Sequence, residues 1–248
     1  MGRIILVTGG NRRAVEHYAP RSLGYLEPTP ACPFWLDLLS PSEHLLSRIS
    51  IPFKFHPRVL RACSTRHRQP SCEDFGHYLF IQTSLLEPSR KSLFIQRDMK
   101  IFLSNEYLIT LHRRSTPLRC WLSSPQVSGF THTGTLLLTL FDESIGRLIG
   151  FFCSEGNSAG LPVQRDEQPK KNPLWWQLRN FRAALLRDVN LLHEIAFVGG
   201  RFFNPDDRSA FGSVKAKISF LCNIIDGLLS RVNPLVDVTF GEGEKKIS

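Results

Sequence analysis

Apolar residues follow two rhythms along this chain. Through the first half they form short runs closed by polar turns; after residue 130 they recur every three or four positions over long stretches. Pro33–Leu39 (PFWLDLL) reads as a buried strand. Ser40, Pro41 and Glu43 then predict a helix entry, with the serine as cap, the proline at the first helical position and the helix running to about Ile49. HPRVLRACS starts a second helix, again with proline in its first turn. Three strand-like runs follow: His77–Leu86, Lys91–Ser104 and Tyr107–Arg113. The turns between them (EPSRK and SNE) are short, which predicts antiparallel hairpins. The strand–helix alternation before these runs puts helices over at least one face of the sheet.

The second half is helical. Thr135–Phe152 has a helix period, and Ser154–Pro173 is a long polar loop rich in glycine, proline and charge. Leu174–Val198 predicts a helix stopped by Gly199-Gly200 in a left-handed cap. Asn204 as cap and Pro205 at the first position start the last helix. In it Val214, Ile218, Leu221, Ile225, Leu228, Val232 and Leu235 are spaced alternately by four and three, the seam of a helix packed lengthwise on another. That partner is either the Leu174–Val198 helix or a second copy of the chain. Pro234 is expected to kink or restart the helix, with Asn233 as the new cap. The pattern divides the chain into an α/β sandwich domain over residues 1–130 and a helical stalk region over 131–248, with the polar loop at 154–173.

Several function classes drop out. The opening MGRIILVTGG looks like a nucleotide-binding strand and turn, but no glycine follows Gly10 until Gly24 and Pro20 interrupts the helix that should come next. It reads as a short strand closed by a Gly-Gly turn. No secretory signal is visible. The most apolar stretch, Leu136–Cys153, carries Asp142, Glu143 and Arg147 and fails as a membrane span, so the chain is expected to be soluble. Cysteines are scattered, and Cys63, His67, Cys72 and His77 match no common zinc spacing. No nucleophile elbow, P-loop or metalloprotease string is present, so an enzyme is not expected. Asp37 and His112 are expected to be structural, the first bonding the turn after its strand and the second ending its strand against a helix. Glu155, Asp206 and Asp207 fall in the loop or at a helix end.

Net charge is +9, and no acidic residue separates Glu43 from Glu73 while Arg48, Lys54, Arg58, Arg61, Arg66 and Arg68 accumulate. This basic face suits solvent, an acidic subunit or partner, or nucleic acid. No nucleic-acid-binding motif accompanies it, which makes nucleic acid the weaker choice.

The order of the strings resembles the cytoplasmic part of the CorA family of magnesium and cobalt transporters. The resemblance rests on Phe34-Trp35-Leu36-Asp37-Leu38 with Pro41 and Glu43, then Phe55-His56-Pro57 and Tyr78–Ile81. It continues through Phe102-Leu103, Asn105 and Leu108–Arg113, then Leu137–Ile145, Glu194-Ile195 and Leu235-Val236-Asp237, covering about residues 33–240. It implies an α+β fold, a helix/mixed-sheet/helix sandwich followed by long helices, assembled as a pentameric funnel at the inner face of the cell membrane. Trp35, Asp37, His56, Pro57, Asn105, His112 and Arg113 would be its structural motif residues. Family members hold magnesium between carboxylates of neighbouring subunits, which favours the closed assembly. Here Leu60-Arg61-Ala62 stands where the family carries Leu-Glu-Asp, and Ser213, beside Lys215 and Lys217, stands where an aspartate is expected. Asp237 alone carries over as a metal-site carboxylate, so no tightly bound cofactor and at most weak Mg2+ is expected. The family's transmembrane helices and Gly-Met-Asn motif are not in the sequence. Three roles follow: the front of a longer channel, a free-standing protein that self-associates or joins a full-length CorA-type channel, or a scaffold using Arg58, Arg61, Arg66 and Arg68 to recruit an acidic partner or nucleic acid.

Overall fold

The computed structural model describes residues 3–8, 14–16, 33–65, 69–89, 92–114, 130–157 and 173–243, with side chains described within 33–154 and 174–231. The strands are β1 (Arg3–Thr8), β2 (Ala14–Glu16), β3 (Phe34–Leu39), β4 (Ser71–Asp74), β5 (Leu79–Ser89), β6 (Leu93–Leu103) and β7 (Tyr107–His112). They form one sheet in the order β2-β1-β3-β7-β6-β5-β4. Every neighbouring pair is antiparallel except β3 and β7, which run parallel with Phe34 opposite Tyr107 and Leu39 opposite His112.

Alternation along the central strands sorts side chains to two faces. Phe34, Leu36 and Leu38 of β3 join Phe80, Phe102 and Ile109 under α1 (Glu43–Phe53) and α2 (Pro57–Ser64). Trp35 joins Leu79, Ile81, Ile101 and Leu108 on the opposite face. There the cover is α3 (Thr133–Asn157), α4 (Pro173–Val198) and α5 (Asp207–Gly243), with a short 3-10 turn, Gly200–Phe202, between the last two. The expected α+β sandwich of helices, mixed sheet and long helices is the fold observed.

Boundaries moved where local chemistry differs from the sequence pattern. Ser42, not Ser40, caps α1: its side chain accepts from the Leu45 N–H at 3.2 Å. Ser40 sits at φ 47, in the left-handed region, and its hydroxyl donates instead to the Arg113 carbonyl at 2.7 Å. The helix also extends past Ile49 to Phe53, with Pro52 in its last turn. Asn204 does not act as an ordinary side-chain cap; its own N–H donates to Asp207 Oδ2 at 2.7 Å. Gly199 has φ -98, so α4 does not end in a left-handed cap. Glycine is needed there for another reason, since a Cβ would run into the Leu79 side chain and the Ile195 carbonyl. The polar loop is shorter than expected at its start, because α3 continues to Asn157. The last helix runs on through Pro234 to Gly243 with no restart at Asn233. Proline lacks the N–H that would reach the carbonyl four residues earlier, so this continuity comes with one helical hydrogen bond fewer.

The four-three seam is settled for its described part. Val214, Ile218, Leu221 and Ile225 are buried within the chain, between α3 and α4. The partner is therefore intramolecular over that length. Val232 and Leu235 have side chains outside the described residues.

Candidate functional site

Two neighbouring strands carry the most buried polar cluster. Asp37 on β3 and His112 on β7 face the same side of the sheet, and His112 Nε2 lies 2.9 Å from Asp37 Oδ1 and 3.0 Å from Oδ2. The Thr110 hydroxyl donates to Asp37 Oδ1 at 2.6 Å and accepts from Trp35 Nε1 at 3.0 Å. His112 Nδ1 is 2.7 Å from the Arg114 carbonyl, which can only accept. Both ring nitrogens thus lie within hydrogen-bond distance of oxygen atoms. Asp37 therefore bonds the neighbouring strand rather than its own following turn, and His112 ends its strand against Asp37 rather than against a helix. These bonds tie β3 to β7.

Other motif residues are also structural in their contacts. His56 caps α2 by accepting from the Arg58 N–H through Nδ1 at 3.2 Å, Pro57 occupies the first turn, and the His56 N–H donates to Tyr78 Oη at 3.1 Å. Asn105 is exposed in the β6–β7 turn. The Arg113 guanidinium donates to the Ser64 carbonyl at the end of α2. On the basic face Arg58 lies 3.5 Å from Glu73 and Arg61 is exposed, while Arg66 and Arg68 lie outside the described residues. Burial pushes the Cys63 and Cys72 thiols up to about 12, for Cys72 with help from Glu194 and nearby acids, so neither is a ready thiolate ligand.

The long helices are tied by polar pairs that the apolar pattern does not announce. Lys217 on α5 donates to Asp142 Oδ2 on α3 at 2.6 Å, while Asp142 Oδ1 is buried without a hydrogen-bond partner. Arg182 on α4 makes a two-pronged bond to Asp226 on α5, at 2.6 and 3.2 Å. The Thr135 hydroxyl donates to Asp207 Oδ1 at 2.9 Å, joining the starts of α3 and α5. Charge on the seam's flanks was the available signal, but partners 44 to 75 positions apart are not fixed by any local pattern. Asp237 lies on α5 with its side chain outside the described residues, and among the described residues no cluster of three acidic, His or Cys groups could hold a metal.

The fold is thus a seven-stranded mixed sheet between two short helices and three long ones, with the last helix as a rod. The family model described as "CorA-like Mg2+ transporter protein" matches residues 33–151. The full-length CmaX protein superimposes with a TM-score of 0.78 at 14% identity, covering 99% of this chain and 79% of that one. The CorA magnesium transporter of Methanocaldococcus jannaschii gives 0.72 at 16%, covering 98% and 78%. The ZntB cytoplasmic domain of Vibrio parahaemolyticus RIMD 2210633 gives 0.71 at 9%, covering 99% and 100%. At these identities the structural likeness is one of fold. No curated protein matches the chain by sequence. The chain is thus CorA-like by sequence over residues 33–151 and by fold over nearly its whole length. No described helix is long and apolar enough to cross a membrane.

Proposed function

We propose that this chain is the cytoplasmic funnel component of a divalent-cation transport system, self-associating or joining a CorA-type channel at the inner face of the membrane, and that built-in cations replace most of its magnesium response. It is not an enzyme in this reading. The observation that carries it is the Lys217 ammonium, 2.6 Å from Asp142, close to where the family resemblance places a metal-site aspartate on the last helix. An ammonium bridging α3 and α5 contributes locally what a divalent ion contributes between carboxylates, without needing a divalent ion to be bound. Arg61 on α2, in place of the family's acidic pair, works in the same direction by repelling a divalent ion. Asp237 is left as a weak site. The experiment is thermal unfolding in millimolar Mg2+ and in chelator. An unchanged midpoint is expected; a clear rise in Mg2+ that Asp237→Ala abolishes would contradict the reading.

A second reading uses the basic face to recruit an acidic partner. Exposed Lys54 and Arg61 favour it, although Arg58 is partly engaged by Glu73.

A further inference from the structure

α4 carries apolar residues on two faces. Leu174, Leu178, Phe181 and Leu185 are buried in the core. On the outside, Trp176 is 55% exposed and Leu186 43% exposed. Trp176 stands two positions from both Leu174 and Leu178, about 200° around the helix, so it projects from the far side of α4. Its ring is held there. It meets Trp175 edge-on with centroids 4.8 Å apart, and Trp175 packs against the core beneath the Arg179 guanidinium, 4.5 Å from its ring centre. A large, pre-positioned tryptophan left in water has the character of an interface anchor.

A receptor of matching character lies across α5. Asp226 marks the flank of α5 that faces α4, through Arg182, and Lys217 marks the flank that faces α3, through Asp142. On the α3 side opens a groove of about 360 Å³, walled by Phe152 of α3 and by Phe220, Ile224, Gly227 and Leu228 of α5, with Arg231 also lining it. Gly227 leaves space in it, since a Cβ there would meet nothing within 4 Å. Tryptophan and groove stand at one height. α4 and α5 run antiparallel, and the Arg182–Asp226 bond fixes their register. Trp176, about a turn and a half before Arg182, is therefore level with Arg231, about a turn and a half past Asp226. Phe152 stacks on Phe181 at 5.2 Å, which sets the α3 wall just below.

We propose that the groove between α3 and α5 takes the Trp176 side chain of a second copy of this chain. Knob and groove share a height and lie on opposite flanks of α5, so rotation about an axis parallel to the rods brings one onto the other without tilting. Such a contact is heterologous, and repeated around that axis it builds a ring rather than a two-fold dimer. The indole fills apolar space and offers its face to Arg231. Leu186, lower on the outside of α4, is near the level of half-exposed Phe220 and extends the contact along the rod. The inference rests on the self-association proposed above and names a surface for it.

The test is sedimentation velocity of the whole chain over a concentration series, with the variants Trp176→Ser and Gly227→Leu. Leucine at 227 fills the groove from an open position and favours the helix, so the second variant blocks docking without straining the fold. Each variant alone should weaken assembly at least about thirtyfold, the loss of one anchoring residue. Mixed in equal amounts, the two should pair and stop at a dimer: the Gly227→Leu chain still offers its tryptophan and the Trp176→Ser chain its groove. Assembly untouched by either variant, or a mixture that fails to pair, would overturn this docking and leave self-association standing. A Gly227→Leu chain that stays assembled but unfolds at a lower temperature would show that the groove is filled from within its own chain, and would overturn it too. A wild-type chain that is monomeric throughout would overturn both readings.

Discussion

Asp37 and His112 show what single residues contribute when taken out of water together. Both side chains are essentially unexposed, so removing one leaves the other as an uncompensated buried polar group. His112→Ala or Asp37→Ala is expected to destabilise the chain by about 3–5 kcal/mol, read by urea unfolding. Replacing both with apolar residues of similar size should cost less than either truncation alone. Asp188 is the opposite case. It is buried on α4, and burial raises its carboxyl from 3.8 to about 7, with Arg187 opposing. Between those values the unfolded chain has lost a proton that the folded chain keeps, so stability falls as pH rises toward about 7 and then levels off. Asp188→Asn should therefore raise stability by a few kcal/mol above about pH 8 and change it little near pH 4. Equal effects at both pH values would show that the carboxyl is solvated.

At the scale of elements, close approach rather than propensity sets several positions. Gly134 in the first turn of α3 and Gly199 at the end of α4 both sit where a Cβ would strike backbone, the Phe202 carbonyl for one and the Ile195 carbonyl for the other. Gly199→Ala should cost about 1–3 kcal/mol through this overpacking, measured as a lowered unfolding midpoint. Ser42→Ala should cost about 1 kcal/mol by removing the α1 cap, whereas a capping role for Ser40 would have moved that loss two residues earlier. The elements with strong periodicity were legible: β3, the β5–β6–β7 hairpins and the three long helices fall close to where apolar spacing puts them. β4 was not, because Ser71–Asp74 is four residues long and has no alternation to read. The parallel pairing of β3 with β7 was hidden too, since it joins residues more than 70 positions apart. The same distance concealed the Asp37–His112 bond, although each residue stands out as a polar group within an apolar strand. Lys100 gives no such signal, because a lysine inside an apolar run marks a buried tether only once its partner carbonyl is known.

For the whole molecule, the described seam from Val214 to Ile225 is consumed within the chain, so self-association has to use other surfaces or the end of α5. Polar pairs from α5 to both neighbouring helices make it a rod held at several heights: Thr135–Asp207 near its start, Asp142–Lys217 higher, Arg182–Asp226 higher still. A rod fixed in this way needs no bound ion to hold its angle. That is the physical content of the proposed loss of magnesium response. Lys217→Met should loosen α5 from α3, lowering the unfolding midpoint and speeding amide exchange along α5 between Asp207 and Asp226. Sedimentation velocity in millimolar Mg2+ and in chelator tests the central claim most directly. The account predicts one assembly, larger than a monomer and of the same size in both; a monomer that assembles only when Mg2+ is added would contradict it.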